Sequence, residues 1–236
     1  MLLRLEGSSV RFGGVEALRA VDLELEAGGA LGLMGPNGCG KTTLFDALSG
    51  VVRACGGRIV FAGEDITGLS VHAIARRGIA LTFQTVRLFP ELTVAANVEP
   101  ADAPAPRELV ERVLDDVGLT AMRNRLADEL SLEQQRRLEI ARALARSPRL
   151  VLMDEPTSGL SSGETEAMVA LLREVVLPGR AVILTEHKPD VIAALCRTAM
   201  LLDQGRVAAQ GTAAELFASS AFRGAYLGAI SRRGGP

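Results

Sequence analysis

The chain has 236 residues, enough for a sizeable buried core and, at about 150 residues per domain, for one to two domains. Hydrophobic residues make up 48%, and 26 Lys and Arg against 28 Asp and Glu leave a net charge of −2. This excludes a disordered or collagen-like chain, and the missing basic footprint, the absence of Trp and the single Tyr argue against a nucleic-acid partner.

Cys39, Cys55 and Cys196 lie too far apart to spell a zinc or disulfide framework, which fits a reducing compartment. Arg4 and Glu6 interrupt the N-terminal apolar residues, so a signal peptide is not expected. No apolar run approaches the ~18 residues of a membrane span. The longest candidate, VIAALCRTAMLL, is broken by Arg197. A membrane role would have to come through a partner.

In chain order, Val21, Leu23 and Leu25 alternate with charge over 19–26 and predict a half-exposed strand. ALGLM, 30–34, is a short apolar run ended by Gly35 and reads as a buried strand. Residues 41–50 have helical character and stop at Gly50, a natural C-terminal cap. Strands are expected at 58–63 and 78–83, and three prolines in 99–106 mark a connector. Pro106 opens a helix to 119 with Leu109, Val110, Val113, Leu114 and Val117 on one stripe. A second helix over 132–148 carries Leu138, Ile140, Ala141 and Leu144 and stops at Pro148.

A buried strand over 149–156 ends in two acids. An amphipathic helix follows at 161–176, then a buried strand at 180–187 that ends in polar residues. Two strands around Gln204-Gly205 occupy 199–211, and the tail RRGGP reads as frayed. Strands that alternate with helices imply an α/β fold with a mainly parallel sheet. The antiparallel-looking N-terminal pieces and a helical stretch at about 85–147 read as additions to it.

Residues 35–42, GPNGCGKT, match G-x-x-x-x-G-K-[ST] between an apolar strand and a helix. Glycines let backbone N–H groups converge on phosphate oxygens, and the helix N-terminus adds positive potential. Gly35, Pro36, Asn37, Gly38, Cys39, Gly40, Lys41, Thr42 and Thr43 then form a phosphate cradle, with Lys41 reaching the β- and γ-phosphates and Thr42 a ligand of Mg²⁺. A Gly-rich turn that happens to contain Lys is the alternative, and the flanking strand and helix count against it. Asp154 and Glu155 stand at the carboxyl end of a buried strand, where open α/β sheets bind ligands. Asp154 suits Mg²⁺ through its waters, and Glu155 is the candidate base for an attacking water. Alone, two acids at a strand end read as a solvated turn.

Over nearly its whole length the chain resembles the ATP-binding subunits of ABC transporters. The resemblance rests on an ordered set of motifs: GPNGCGKTT, Gln84 in LTFQTVRLFPELTVAANV, then LSLEQQRRLEIARAL, LVLMDEP and TEH. FQTVRLFPELTV and QRRLEIARAL look most like the branched-chain amino-acid importer subfamily. The resemblance implies a single ABC ATP-binding domain over 1–236. Its P-loop NTPase core would carry a mainly parallel sheet, an N-terminal antiparallel β subdomain and an inserted α-helical subdomain at about 85–147. It implies that Phe12 stacks on the adenine of ATP, that Gln84 senses the γ-phosphate and Mg²⁺, that Glu155 is the catalytic base and that His187 contacts the γ-phosphate. It also implies transmembrane permease subunits, a second ATP-binding subunit and, indirectly, a periplasmic or extracellular solute-binding protein. The chain would then sit on the cytoplasmic face of the cell membrane, held there by its partners.

The sequence departs from the family at three places. The family signature L-S-G-G-Q faces the γ-phosphate held by the opposite subunit of an ATP sandwich. Here Leu130 and Ser131 fit, but Leu132 and Glu133 replace the two glycines. Two unit charges ~4 Å apart at an effective dielectric of ~20 repel by about 4 kcal/mol, and a third of that costs about tenfold in affinity. A homodimer would carry that repulsion twice, so a heterodimer with an intact-signature partner is expected, with slowed turnover in the site that Glu133 faces. Ser161 stands where the family has Asp or Asn at the dimer interface. Cys39 lies between two glycines at a helix start, where its thiol pKa is expected to fall and its modification to block the cradle. The leading function is ATP hydrolysis that powers a membrane transporter, an importer of branched-chain or related amino acids. The alternative is a catalytically weak, nucleotide-binding regulatory half of an asymmetric heterodimer.

Overall fold

Alternation builds the N-terminal part of the molecule. In the computed structural model, which describes residues 1–99 and 106–225, β1 (Leu3–Phe12) and β2 (Val15–Leu25) form an antiparallel pair. They bury Leu3, Leu5 and Val10 and Leu18, Val21, Leu23 and Leu25, while Arg4, Asp22 and Glu24 face water. Two more strands, β4 (Gly56–Phe61) and β5 (Glu64–Asp65), complete a sheet of order β2-β1-β4-β5. The expected strand over 19–26 thus begins four residues earlier, at Val15. β1 was not legible as a strand, because Gly7 and a register shift between Leu5 and Ser8 interrupt its alternation.

The second sheet is made of β3 (Ala30–Met34), β6 (Ile79–Thr82), β7 (Leu150–Asp154), β8 (Ala181–Thr185), β9 (Thr198–Asp203) and β10 (Arg206–Thr212). Its order is β10-β9-β3-β8-β7-β6, parallel throughout except for the β9–β10 hairpin. Both faces are covered, so its central strands read as continuous apolar runs. β7 sends Leu150 and Leu152 to one core and Val151 and Met153 to the other. β8 divides Ile183 from Val182 and Leu184 in the same way.

One core lies between the two sheets and includes α1 (Lys41–Ser49) and α2 (Val71–Arg76) through Leu44, Phe45, Leu48 and Ile74. The other holds the remaining helices: α3 (Val94–Val98), α4 (Arg107–Asp116), α5 (Leu132–Leu144), α6 (Ser162–Leu171), α7 (Pro189–Leu195) and α8 (Ala213–Ala218). The helices α3, α4 and α5 fill the stretch expected to be helical. The short elements β5, α2, α3, α7 and α8 had no clear periodic signal.

Two expected helices end early. α5 stops at Leu144, ahead of Pro148, and Ser147 takes a positive φ of 48°. α6 gives way at Leu172 to a π-turn that runs to Val176. The connector expected at 99–106 falls largely outside the described residues, as does the tail RRGGP.

The packing of α5 makes a testable contrast. Leu138 is fully buried on it, whereas Leu132 in its first turn is 42% exposed. Leu138→Ala is expected to cost about 2–5 kcal/mol of unfolding free energy, and Leu132→Ala to stay within about 0.5 kcal/mol. Urea unfolding of the two variants measures both.

Candidate functional site

The glycine loop joins the end of β3 to the start of α1. Gly40 precedes Lys41 with φ 114°, and a Cβ there would lie 2.8 Å from the carbonyl oxygen of Ala17. Only glycine lets the loop pass so close to β2. No side chain caps α1, and its first turn holds no acid, so the N–H groups of that turn and their positive potential are left to an incoming anion. Asn37, Gly38 and Thr42 are exposed, while Pro36, Gly40 and Thr43 are half-buried. Lys41 is buried and folds over the loop, its Nζ donating to the carbonyls of Gly35 at 2.7 Å and Pro36 at 3.3 Å.

Cys39 corrects the expectation of a reactive thiol. Its backbone belongs to the loop, with N–H donating to Pro36 O and its carbonyl accepting from Gly205 N–H. Its side chain, however, is buried in the core with Leu31, Leu33 and Leu44. Burial pushes the thiol pKa up, and this outweighs the opposing pull of Lys41. The sequence places a cysteine at the helix start, but the loop turns Sγ inward, away from a ligand in the cradle.

Asp154 and Glu155 stand where β7 ends. Asp154 Oδ1 accepts a hydrogen bond from the Thr185 hydroxyl at 2.6 Å. Burial raises its pKa, against the opposing effects of that bond, Lys41 and His187. Glu155 is buried and takes a positive φ of 49°, a sparsely populated conformation for a residue with a Cβ. It is held there by Thr185, whose hydroxyl and carbonyl both accept from the Glu155 N–H, at 3.0 and 3.2 Å. The carboxylate then has a partner on each oxygen. Gln84 Nε2 donates to Oε2 at 2.9 Å, and His187 Nε2 lies 2.7 Å from Oε1. Three residues singled out from three separate segments of the chain meet on one carboxylate.

Phe12 ends β1 half-exposed, with its ring open to a planar ligand. The signature residues are engaged with their own helix. Ser131 caps α5 in a reciprocal pair with Gln134. Glu133 is bonded to Arg137, one turn along, and Arg137 also donates to the carbonyl of Val117 at 3.1 Å. The carboxylate that sequence alone left bare is therefore neutralised and only 15% exposed. Ser161 caps α6, with Glu164 returning a carboxylate to its N–H and hydroxyl. A serine at this departure from the family pattern has a local structural role.

Sequence reasoning missed four residues around the site. Thr185 orients both acids. Glu186 is buried and accepts from the N–H and hydroxyl of Thr157 and from the His187 N–H, tying two loops together. Arg136 and Glu139 are buried on α5 and bind the backbone of residues 83–87. The signal for that pair was present: a charge at helical spacing within an otherwise core-facing stripe.

This geometry belongs to a known class. A family model described as "ABC transporter" matches residues 18–158, and the chain belongs to that family. It is 36% identical to the high-affinity branched-chain amino acid transport ATP-binding protein BraF of Pseudomonas aeruginosa, over 96% of this chain and 98% of that protein. With LivG of Salmonella typhimurium, a protein of the same description, identity is 35% over the same shares. Among solved structures, the ADP conformation of the ATP-binding cassette MJ1267 matches with a TM-score of 0.88 at 28% identity, covering 96% of this chain and 98% of that one. The expected α/β architecture is thus that of ABC ATPase cassettes.

The three cysteines should separate cleanly in reactivity. Cys55 is exposed, Cys39 and Cys196 are buried, and burial pushes the Cys196 thiol up to about 12. Iodoacetamide at neutral pH is expected to label Cys55 alone in the native protein and all three after denaturation. Peptide mass spectrometry reads the result, and native labelling of Cys39 at the rate of Cys55 would contradict its burial.

Proposed function

We propose that this chain binds and hydrolyses ATP and thereby powers a membrane transporter that imports branched-chain or related amino acids. The observation that carries it is the meeting of Gln84 and His187 on Glu155, beside Asp154 at the end of the same strand and the glycine loop that leaves β3. The likeness to BraF and LivG over almost the full length of each supports the class of solute.

In this mechanism the backbone N–H groups of Gly35–Thr42 cradle the phosphates, and Lys41 leaves its carbonyl partners to reach the β- and γ-oxygens. The Phe12 ring stacks on the base. Glu155, released from Gln84 and His187, accepts the proton of the attacking water. Gln84 gives up its bond to Glu155 when it turns to the γ-phosphate, which links base and sensor. His187 likewise exchanges the Glu155 carboxylate for the γ-phosphate.

The exposed Thr42 hydroxyl and Asp154 are the residues that would hold Mg²⁺, which neutralises charge on the phosphates. Among the described residues no group of three or more His, Cys, Asp or Glu forms a metal cage. One hydroxyl and one carboxylate suit a cation that keeps much of its water and takes phosphate oxygens as ligands.

Partners follow from surface and charge. A groove of about 800 Å³ between the α1–α2 and α3–α5 regions is lined by Val51, Val71, Phe83, Arg87, Phe89 and Arg142. Val51, Val71 and Phe89 expose about half of their surface there. This mixed apolar and basic seat, next to Gln84, suits a segment of a permease subunit. No helix among the described residues is long and apolar enough to cross a membrane. Attachment to the cytoplasmic face runs through permease subunits, on which a solute-binding protein acts from the other side.

A second ATP-binding subunit completes each site, and Glu133 bears on its identity. Paired with Arg137, Glu133 presents far less repulsion to a facing phosphate than a bare carboxylate would, so the preference for a heterodimer is reduced to the residual charge. Both forms of dimer then stay accessible, and turnover at the facing site need not be lost.

Calorimetry of Lys41→Ala is expected to show no measurable ATP binding. Glu155→Gln is expected to bind ATP normally while turnover falls at least ~100-fold, because the amide keeps the shape and loses the base. Equal steady-state rates for Glu155→Gln and the parent protein would remove the base assignment. In the Glu155→Gln background, sedimentation with ATP tests the signature. Glu133→Gly should change the ATP-dependent dimer affinity by less than tenfold, whereas Arg137→Ala, which strips the carboxylate of its partner, should weaken it by roughly tenfold or more.

A further inference from the structure

Five residues of backbone, Phe83 to Arg87, hang on three charged side chains of α5. Arg136 donates from Nη1 to the carbonyl of Phe83 at 2.9 Å and from Nη2 to that of Gln84 at 2.7 Å. Glu139 Oε1 accepts from the N–H groups of Phe83 and Arg87, at 3.2 and 3.3 Å. Arg142 donates to the carbonyl of Arg87. The three stand at i, i+3 and i+6, on one face of the helix. Arg136 has a further partner, the carbonyl of Ser158 at 3.3 Å, three residues beyond Glu155. One guanidinium therefore spans the two segments that the Gln84–Glu155 hydrogen bond joins.

Arg136 and Glu139 are both 5% exposed. Burying two opposite charges costs several kcal/mol of desolvation per ion, and well-packed hydrophobic residues often replace such a pair at no loss of stability. Packing alone does not call for charge here. What an arginine adds is a rigid fork of donors that fixes several carbonyls in one geometry. The carbonyls it fixes belong to Gln84, to its neighbour and to the loop after the base.

We propose that Arg136 and Glu139 are positioning residues for hydrolysis: they fix the backbone of Gln84 beside Glu155, from where its side chain can turn to the γ-phosphate, and carry residues 83–87 as one body with α5. They touch neither the glycine loop nor Phe12 in their hydrogen bonds, so they set turnover and leave nucleotide affinity alone. Because Ser131 caps the same helix, a displacement of the signature end of α5 moves Gln84 relative to Glu155. The rate effect rests on Glu155 acting as the base; the mechanical effect on residues 83–87 does not.

The experiment uses the full chain in excess over ATP, in single-turnover mode, beside ATP titrations and amide hydrogen exchange. Arg136→Met is expected to lower the hydrolysis rate tenfold or more, since small misplacements of catalytic groups cost up to about 100-fold. ATP affinity should stay within threefold, and Arg136→Lys should recover part of the rate. Combined with Gln84→Ala, Arg136→Met should add little further loss, as two changes on one path are not additive. Exchange of the amides of 83–87 should quicken at least tenfold while β7 remains protected. An unchanged rate in Arg136→Met, or a double-variant loss equal to the product of the single losses, overturns the catalytic part. Unchanged exchange at 83–87 overturns the positioning itself. If Glu155→Gln, run alongside, hydrolyses ATP at the parent rate, the base assignment fails while the exchange result still decides whether Arg136 holds the loop. Should Arg136→Met not fold, Arg136→Lys and Glu139→Gln carry the same comparison, each with a lowered rate at unchanged affinity.

Discussion

The carboxylate of Glu155 is the point on which the site is organised. It is buried at the end of a parallel strand, in a left-handed backbone conformation that a residue with a Cβ adopts at a cost of about 1–3 kcal/mol. Thr185 on the neighbouring strand offsets that cost by taking the Glu155 N–H, and the same hydroxyl orients Asp154. The side chain lies between Gln84 and His187 at the strand end. Each of these partners is a polar side chain from a different loop. The base is therefore readable by two parts of the molecule at once, and a shift of either loop changes its surroundings.

The two-sided core makes such an arrangement rigid enough to matter. β7 and β8 are buried on both faces, and their carboxyl ends deliver Asp154, Glu155, Thr185, Glu186 and His187 to a single rim. Glu186 fastens this rim to the loop after the base through Thr157. The glycine loop leaves β3 on the other side of β8. Gln84, by contrast, follows the short edge strand β6 and has no sheet beyond it. Its backbone is fastened instead by charges from α5. This part of the site is thereby bound to a helix rather than to the sheet, and the groove beside it is lined by several of the same side chains.

Context also revised what three unusual residues mean. Glu133 is a carboxylate in a signature position, yet a basic residue four positions on neutralises it. Cys39 is a thiol at a helix start, yet the turn of the loop puts it in the core. Ser161 departs from the family pattern and serves as a helix cap. In each case the neighbour that decides the chemistry is set by a local geometry that a motif comparison does not contain.

Much of this protein was written locally. The glycine loop, the buried runs that become β3, β7 and β8, the two acids, the amphipathic α4 and the helix α5 depend on nearest neighbours and on helix or strand period, which a linear sequence carries. The ordered motifs were enough to place the chain in its family and to name Gln84, Glu155 and His187. Tertiary structure decided the rest, because those features are contacts between segments distant along the chain. Only the packing of loops from β6, β7 and β8 brings the three residues onto one carboxylate. Only the fold shows that Arg136 and Glu139, two charges within a core helix, are bonded to the backbone 52 to 56 residues away. A buried charge has no local signature that names its partner, since its energy is set by which distant groups desolvate and bond it.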